Sequence, residues 1–195
     1  MPLLGPGDEL PYRPQRVIVS GTSGSGKSTV ARRIAETIGV PYTELDSLFH
    51  GPGWTARPTF EAEVDRFTQA PAWATEWQYT QVRPRLAERA DLMVWLDLPR
   101  WLVMYRVTRR TLTRRLRRQQ LWNGNREGPL RTIVRDPEHI IRWAWSTHGE
   151  TAERTRRIAH RLPGLPVVRL RSRREVEAWL SGPLRRYGGT PAPPR

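Results

Sequence analysis

The stretch "VIVSGTSGSGKSTVARRIAETIG", residues 17 to 39, constrains the fold more than any other. A short apolar run enters a loop of glycine and serine, and the loop opens directly into a helical pattern. Within it Gly21, Gly26, Lys27 and Ser28 fit the template Gly, four residues, Gly-Lys-Ser. A strand that ends in such a turn and starts a helix is the context in which backbone amides converge on phosphate oxygens. Gly21, Gly24 and Gly26 let the backbone wind inward, and Thr22, Ser23, Ser25 and Thr29 complete the nucleotide-binding loop. The helix beginning near Lys27 adds its positive end. Lys27 is expected to reach the outer phosphates, and the Ser28 hydroxyl to ligate Mg²⁺. Lys27 is also the only lysine among 33 basic residues. A compact ammonium stands where a planar guanidinium is unsuited.

Around this unit strand and helix signals alternate. Strands are expected at 16–20, 41–45, 73–76, 91–98 and 165–170, and helices at 29–38, 59–69, 83–89, 100–118 and 172–180. Residues 137–161 read as two more helices. Ser172 is the N-cap of the last helix, with Glu175 at the capping-box position. This alternation argues for a parallel sheet covered on both faces. Residues 1–15 read as a flexible arm, 16–181 as the domain and 182–195 as a disordered tail.

The 195 residues suit one domain. No apolar run approaches the ~18 residues that span a bilayer, and without cysteine there are no disulfides or thiolate metal sites. A cytoplasmic protein without a membrane partner is the expectation. Net charge is +14, which favours polyanionic partners, nucleotides and nucleic acid among them.

Three segments carry a resemblance: the strand-loop-helix, "YTELDSLFHGPGW" (42–54), and "LMVWLDLPRWLVMYRVTRRTLTRRLRRQQLWNGNRE" (92–127). Over residues 16–180 the chain resembles the adenylate-kinase-related P-loop kinases. More narrowly, it resembles the bacterial subgroup termed adenylate kinase-like or DNA topology modulation protein. The resemblance implies a three-layer α/β P-loop NTPase fold of the nucleoside/shikimate kinase kind, with a five-stranded parallel sheet and a small lid within about 105–135. It also implies Mg²⁺-dependent transfer of a phosphoryl group from ATP to a small-molecule or nucleotide acceptor. The alternatives are a nucleic-acid-associated NTP-binding protein and a nucleotide sensor without an acceptor.

Ligands of open parallel sheets bind beyond the carboxyl ends of the strands. Asp46 sits at such an end, where the resembled shikimate and gluconate kinases place an acid that meets the acceptor hydroxyl or the metal's water shell. Alternatively it caps a short helix starting at Ser47. Trp54 and Arg57 suit an acceptor-site wall by stacking and by anion contact, or else belong to a packed loop. For the second metal acid, Asp97 and Glu76 compete. The topology of the resembled kinases favours Glu76, in "EWQY" where many relatives resemble Asp-Gly-Asn-Tyr. In those kinases arginines of the helix after the fourth strand grip the transferring phosphoryl group. That role falls here to Arg110, Arg114 and Arg118, with Arg126 across the following loop. The same arginines also suit a solvated basic face or a surface for DNA phosphates.

Overall fold

The computed structural model describes residues 3–116, 122–125 and 140–188. Five strands form one sheet: β1 (Leu3–Leu4), β2 (Arg16–Gly21), β3 (Trp73–Glu76), β4 (Leu92–Leu96) and β5 (Val167–Leu170). All pair in parallel, in the order β1-β5-β4-β2-β3. The described helices are α1 (Lys27–Ile38), α2 (Leu45–Phe49), α3 (Phe60–Thr68), α4 (Arg83–Arg89), α5 (Arg100–Leu116), α6 (Ile140–Arg161) and α7 (Arg173–Ser181). No described helix is long and apolar enough to cross a membrane.

The period-2 alternation of strand side chains divides the core into two layers. Val17, Val19, Leu92, Val94 and Leu96 face α1, α5 and α7, where Ile34, Val107 and Trp179 meet them. Ile18, Met93, Trp95 and Val167 face the other way, against Phe60, Val64 and Leu86 of α3 and α4. Trp73 anchors this second layer at 1% exposure. Its indole N–H donates to the Thr68 carbonyl at 3.3 Å. Trp73→Ala is expected to cost about 3–5 kcal/mol, read as a lower urea midpoint. A loss below about 1 kcal/mol would contradict this packing.

The fifth strand is not the expected one. Residues 41–45 make only an isolated parallel bridge, Tyr42 to Ala74. Pro41 has no N–H to extend a ladder, and Leu45 N–H turns to the Glu76 carboxylate at 3.2 Å. The chain therefore enters α2, and Asp46 lies in its first turn behind the Glu44 N-cap, not at the cap itself. The missing strand is supplied by the stretch read as a flexible arm, since Leu3 and Leu4 register with Val167 and Val168. That stretch is strapped down further. Leu10 is buried, Tyr12 donates to the Asp91 carbonyl at 2.8 Å, and the Asp91 carboxylate accepts the Gln15 and Arg16 amides.

At the other end, Leu184 is fully buried and Arg185–Tyr187 form a 3₁₀ turn. The start of the expected tail therefore packs on the domain, and 189–195 lie outside the described residues. Where two helices were expected over 137–161, the described part is the single helix α6. Ser172 caps α7 by accepting the Glu175 amide at 3.1 Å, and the Glu175 carboxylate reaches back to the Arg171 amide at 2.8 Å.

Candidate active site

β2 lies between β3 and β4, one strand in from the β3 edge, so its carboxyl end opens between two neighbours. The loop from Gly21 to Gly26 leaves there and feeds α1. Gly26, the N-cap, has φ +95° and provides no side-chain cap, and the first turn of α1 holds no acid. The first amides of this 12-residue helix are thus left open for an anion. Ser25 Oγ is buried without a hydrogen-bond partner. Lys27 Nζ donates weakly to the Thr22 carbonyl, at 3.3 Å. Burial holds the Lys27 ammonium below its ordinary pKa, and the Asp46 and Glu76 carboxylates oppose that shift. A cradle of open amides, an orphan hydroxyl and a desolvated cation fits a polyphosphate.

The loop is fixed from above by α5. A Cβ at Gly24, whose φ is +84°, would meet Val107 Cγ2 at 2.1 Å and the Val103 carbonyl at 3.2 Å. Arg106 donates to the Ser25 carbonyl at 3.3 Å. Gly24→Ala therefore combines a left-handed backbone with overpacking, at a cost of about 1–3 kcal/mol. Nucleotide affinity should fall at least tenfold by calorimetric titration; an unchanged affinity would contradict this loop geometry.

Beyond the loop, Asp46 and Glu76 are set differently. Glu76 is fully buried. Its Oε1 accepts from Tyr42 at 2.6 Å and its Oε2 from the Leu45 amide at 3.2 Å. Each oxygen accepts a hydrogen bond from the protein, so Glu76 is anchored beneath the loop with its charge beside Lys27. Asp46 Oδ1 accepts from Gln78 Nε2 and from the Tyr79 hydroxyl, each at 2.6 Å. Asp46 Oδ2 takes no hydrogen bond among the described residues. Burial and the Asp46 charge raise the Tyr79 phenol above its ordinary value, so it stays a donor to Asp46. Asp97, the competing metal acid, is held by Arg169 through Nε at 2.8 Å and through the second guanidinium nitrogen. Among the described residues no cluster of three or more His, Asp or Glu forms a metal site.

The wall around Asp46 is aromatic. Phe49 stacks on Tyr79 at 4.1 Å. His50 meets Trp54 edge-to-face at 5.0 Å and stacks with Trp122 at 5.9 Å. Burial lowers the His50 pKa, and Asp46 partly offsets that. Trp54 thus stands at the wall, 41% exposed. Arg57 does not face the site as an anion reader, because its guanidinium is bidentate to Glu63 at 2.7 and 3.3 Å. That fork suits a carboxylate, and Thr59 completes it by donating to Glu63 at 2.6 Å. Arg110 lies close enough to lower the Lys27 pKa. Arg114 stands 6.0 Å over the Trp122 ring. Arg118 and Arg126 lie outside the described residues.

Sequence reading missed Tyr42, Gln78, Tyr79, Asn123 and Asn125, and it left Arg106 out of the candidate set. Tyr79 was signalled only by its place in "EWQY", three residues past the strand end. In the structure it has φ +64°, a conformation that bulky residues adopt only when their surroundings impose it.

An interior parallel strand, a Gly-Lys-Ser loop and an uncapped helix define an α/β P-loop fold. No protein-family profile matches the chain. Two cytidylate kinases of Nitratidesulfovibrio vulgaris, from strains DP4 and ATCC 29579, are each 38% identical to it over 42 residues. Those residues are 22% of this chain and 18% of theirs, so the match spans less than a fifth of either relative. Similar solved structures include shikimate kinase from Acinetobacter baumannii in complex with shikimate (18% identity, 88% of this chain and 87% of that one, TM-score 0.43). A putative kinase from Chloroflexus aurantiacus J-10-fl aligns at 15% identity over 87% of this chain and 96% of its own, with TM-score 0.48. A gluconokinase from Sinorhizobium meliloti 1021 aligns at 23% identity over 76% and 99%, with TM-score 0.39.

Proposed function

We propose that the chain is a Mg²⁺-dependent phosphotransferase that uses ATP to phosphorylate a small molecule bearing a hydroxyl group. One observation carries the reading: Lys27, desolvated at an uncapped helix start, lies within the field of Asp46 and Glu76. A cationic phosphate grip and a carboxylate thus share one cleft. The short match to cytidylate kinases supports phosphoryl transfer in general.

The loop amides and Lys27 would hold the phosphates, and Ser28 would supply the protein's hydroxyl ligand to the metal. When bound, MgATP is the phosphoryl donor and the metal neutralises charge on the transferred group. Asp46, oriented by Gln78 and Tyr79, positions the acceptor hydroxyl and takes its proton on Oδ2. Arg110 and Arg114 balance charge from α5. Glu76 supports the metal region electrostatically from beneath. Trp54 and its aromatic neighbours stack on the acceptor. Most of the acceleration comes from positioning and preset charge.

The basic face of α5 supports a second reading, a nucleic-acid surface. Arg106 points instead to the loop carbonyl of Ser25, which favours the first. The test is a panel of nucleosides, nucleoside monophosphates, sugars and hydroxy acids incubated with MgATP, with products read by mass spectrometry. One class should gain a phosphoryl group and stimulate ATP consumption. If none does, and DNA affinity falls steeply between roughly 50 and 200 mM salt regardless of Lys27→Ala, the second reading replaces the first.

A further inference from the structure

Asn125 is 6% exposed and hydrogen-bonds far outside its own segment. Its Oδ1 accepts the Trp54 amide at 3.1 Å, and its Nδ2 donates to the Gly51 carbonyl at 2.8 Å. Two residues earlier, Asn123 donates from its side chain to the His50 carbonyl. The segment after α5 thus closes on the loop from His50 to Trp54 through three amide hydrogen bonds.

That loop needs holding. Gly53 and Trp54 sit at φ +65° and +62°, and only the first suits a left-handed backbone. Thr55 closes the turn around them, its amide donating to the Pro52 carbonyl at 3.4 Å, its hydroxyl to the same carbonyl at 2.8 Å, and its own carbonyl accepting the Gly51 amide at 2.7 Å, while Asn125 takes the Trp54 amide itself. The Asn125 side chain presents an acceptor and a donor together, as a neighbouring strand would, and compensates the strained residue. Trp54 packs on His50, His50 Nε2 lies 3.2 Å from the Tyr79 hydroxyl, and Tyr79 holds Asp46. The latch is therefore linked through a short chain of contacts to the carboxylate of the site.

We infer that Asn125 is a positioning residue: it pins Trp54 in its left-handed conformation and so sets the acceptor wall. The hydrogen bonding stands on geometry alone, whereas its consequence for an acceptor rests on the kinase reading.

The test compares the full-length wild type, Asn125→Ala and Asn125→Asp by amide hydrogen exchange resolved at Trp54, with MgATP as the titrated ligand. Asn125→Ala should speed exchange at Trp54 at least tenfold, while Val94 in β4 keeps its wild-type rate. Asn125→Asp retains an acceptor for the Trp54 amide but sets a carboxylate oxygen against the Gly51 carbonyl, so its Trp54 exchange should fall between wild type and Asn125→Ala. MgATP affinity should stay within twofold in all three proteins. With the acceptor from the panel, Asn125→Ala should raise its KM at least tenfold and leave kcat within threefold. Unchanged Trp54 exchange in Asn125→Ala overturns the inference, as does acceleration that spreads equally to Val94. If the wild type binds no MgATP yet shows Asn125-dependent protection, the latch stands and the kinase reading falls.

Discussion

Lys27→Ala should lower acceptor-dependent ATP turnover about a thousandfold, in the range seen when a preset electrostatic group is removed from a transferring centre. The substitution removes the one ammonium in the chain. It also leaves the Asp46 and Glu76 carboxylates without the cation whose pKa they raise. MgATP affinity should fall along with turnover, because the lysine acts on bound phosphate and not only on the transition state. Stability should change little, since the ammonium makes a single weak hydrogen bond to Thr22. Lys27→Arg should fail almost as badly, because a planar fork does not reproduce a compact charge beneath wound backbone. Coupled steady-state assays and thermal unfolding separate these outcomes. Turnover in Lys27→Ala within tenfold of wild type would mean that the loop is not the phosphate site of the reaction.

Asp46→Asn should lower kcat by about 10²–10⁴, the range expected for a lost general base, with MgATP affinity held within about threefold. The change is nearly isosteric. An amide oxygen at the Oδ1 position still accepts from Gln78 and Tyr79, so α2 and the aromatic wall keep their places. What is lost is the charge and the proton acceptor at Oδ2. Tyr79→Phe should cost much less, about tenfold, because Gln78 continues to orient the carboxylate. If Asp46→Asn turns over like wild type but unfolds more readily, Asp46 is a structural residue of α2 and the acceptor lies elsewhere.

The parts of this molecule that sequence makes legible are those whose physics is local. The Gly-Lys-Ser loop and the amphipathic face of α1 announce themselves within 23 residues, and the apolar run of β4 is bounded by its own Pro99. Helix α4 falls at 83–89 as expected, and the Ser172 cap of α7 acts as its spacing implies. The failures lie where distant residues decide. Nothing in 41–45 reveals that Glu76 draws the Leu45 amide into a helix. Nothing in 1–15 reveals that β5 leaves an open edge for Leu3 and Leu4.

The candidate site divides in the same way. Its phosphate half is one continuous motif. Its acceptor half is assembled from β3, α2 and the segment after α5, so Tyr79 and Asn125 become visible only when those elements meet. Arg57 shows the reverse case, a choice between anion contact and packed loop that sequence left open. Its residue type fits an anion site, but the acid that satisfies it stands six positions along the same chain and is part of α3.

Everything proposed for this chain depends on the loop from Gly21 to Ser28 being a nucleotide phosphate site. Amide hydrogen exchange on the intact chain, with and without saturating MgATP, tests it most directly. Bound MgATP should strongly slow exchange at the amides of Gly24 to Ser28, where α1 begins uncapped, with little change in β1 or α7. Exchange in that loop that is indifferent to MgATP, or protection confined to the basic face of α5, would contradict it.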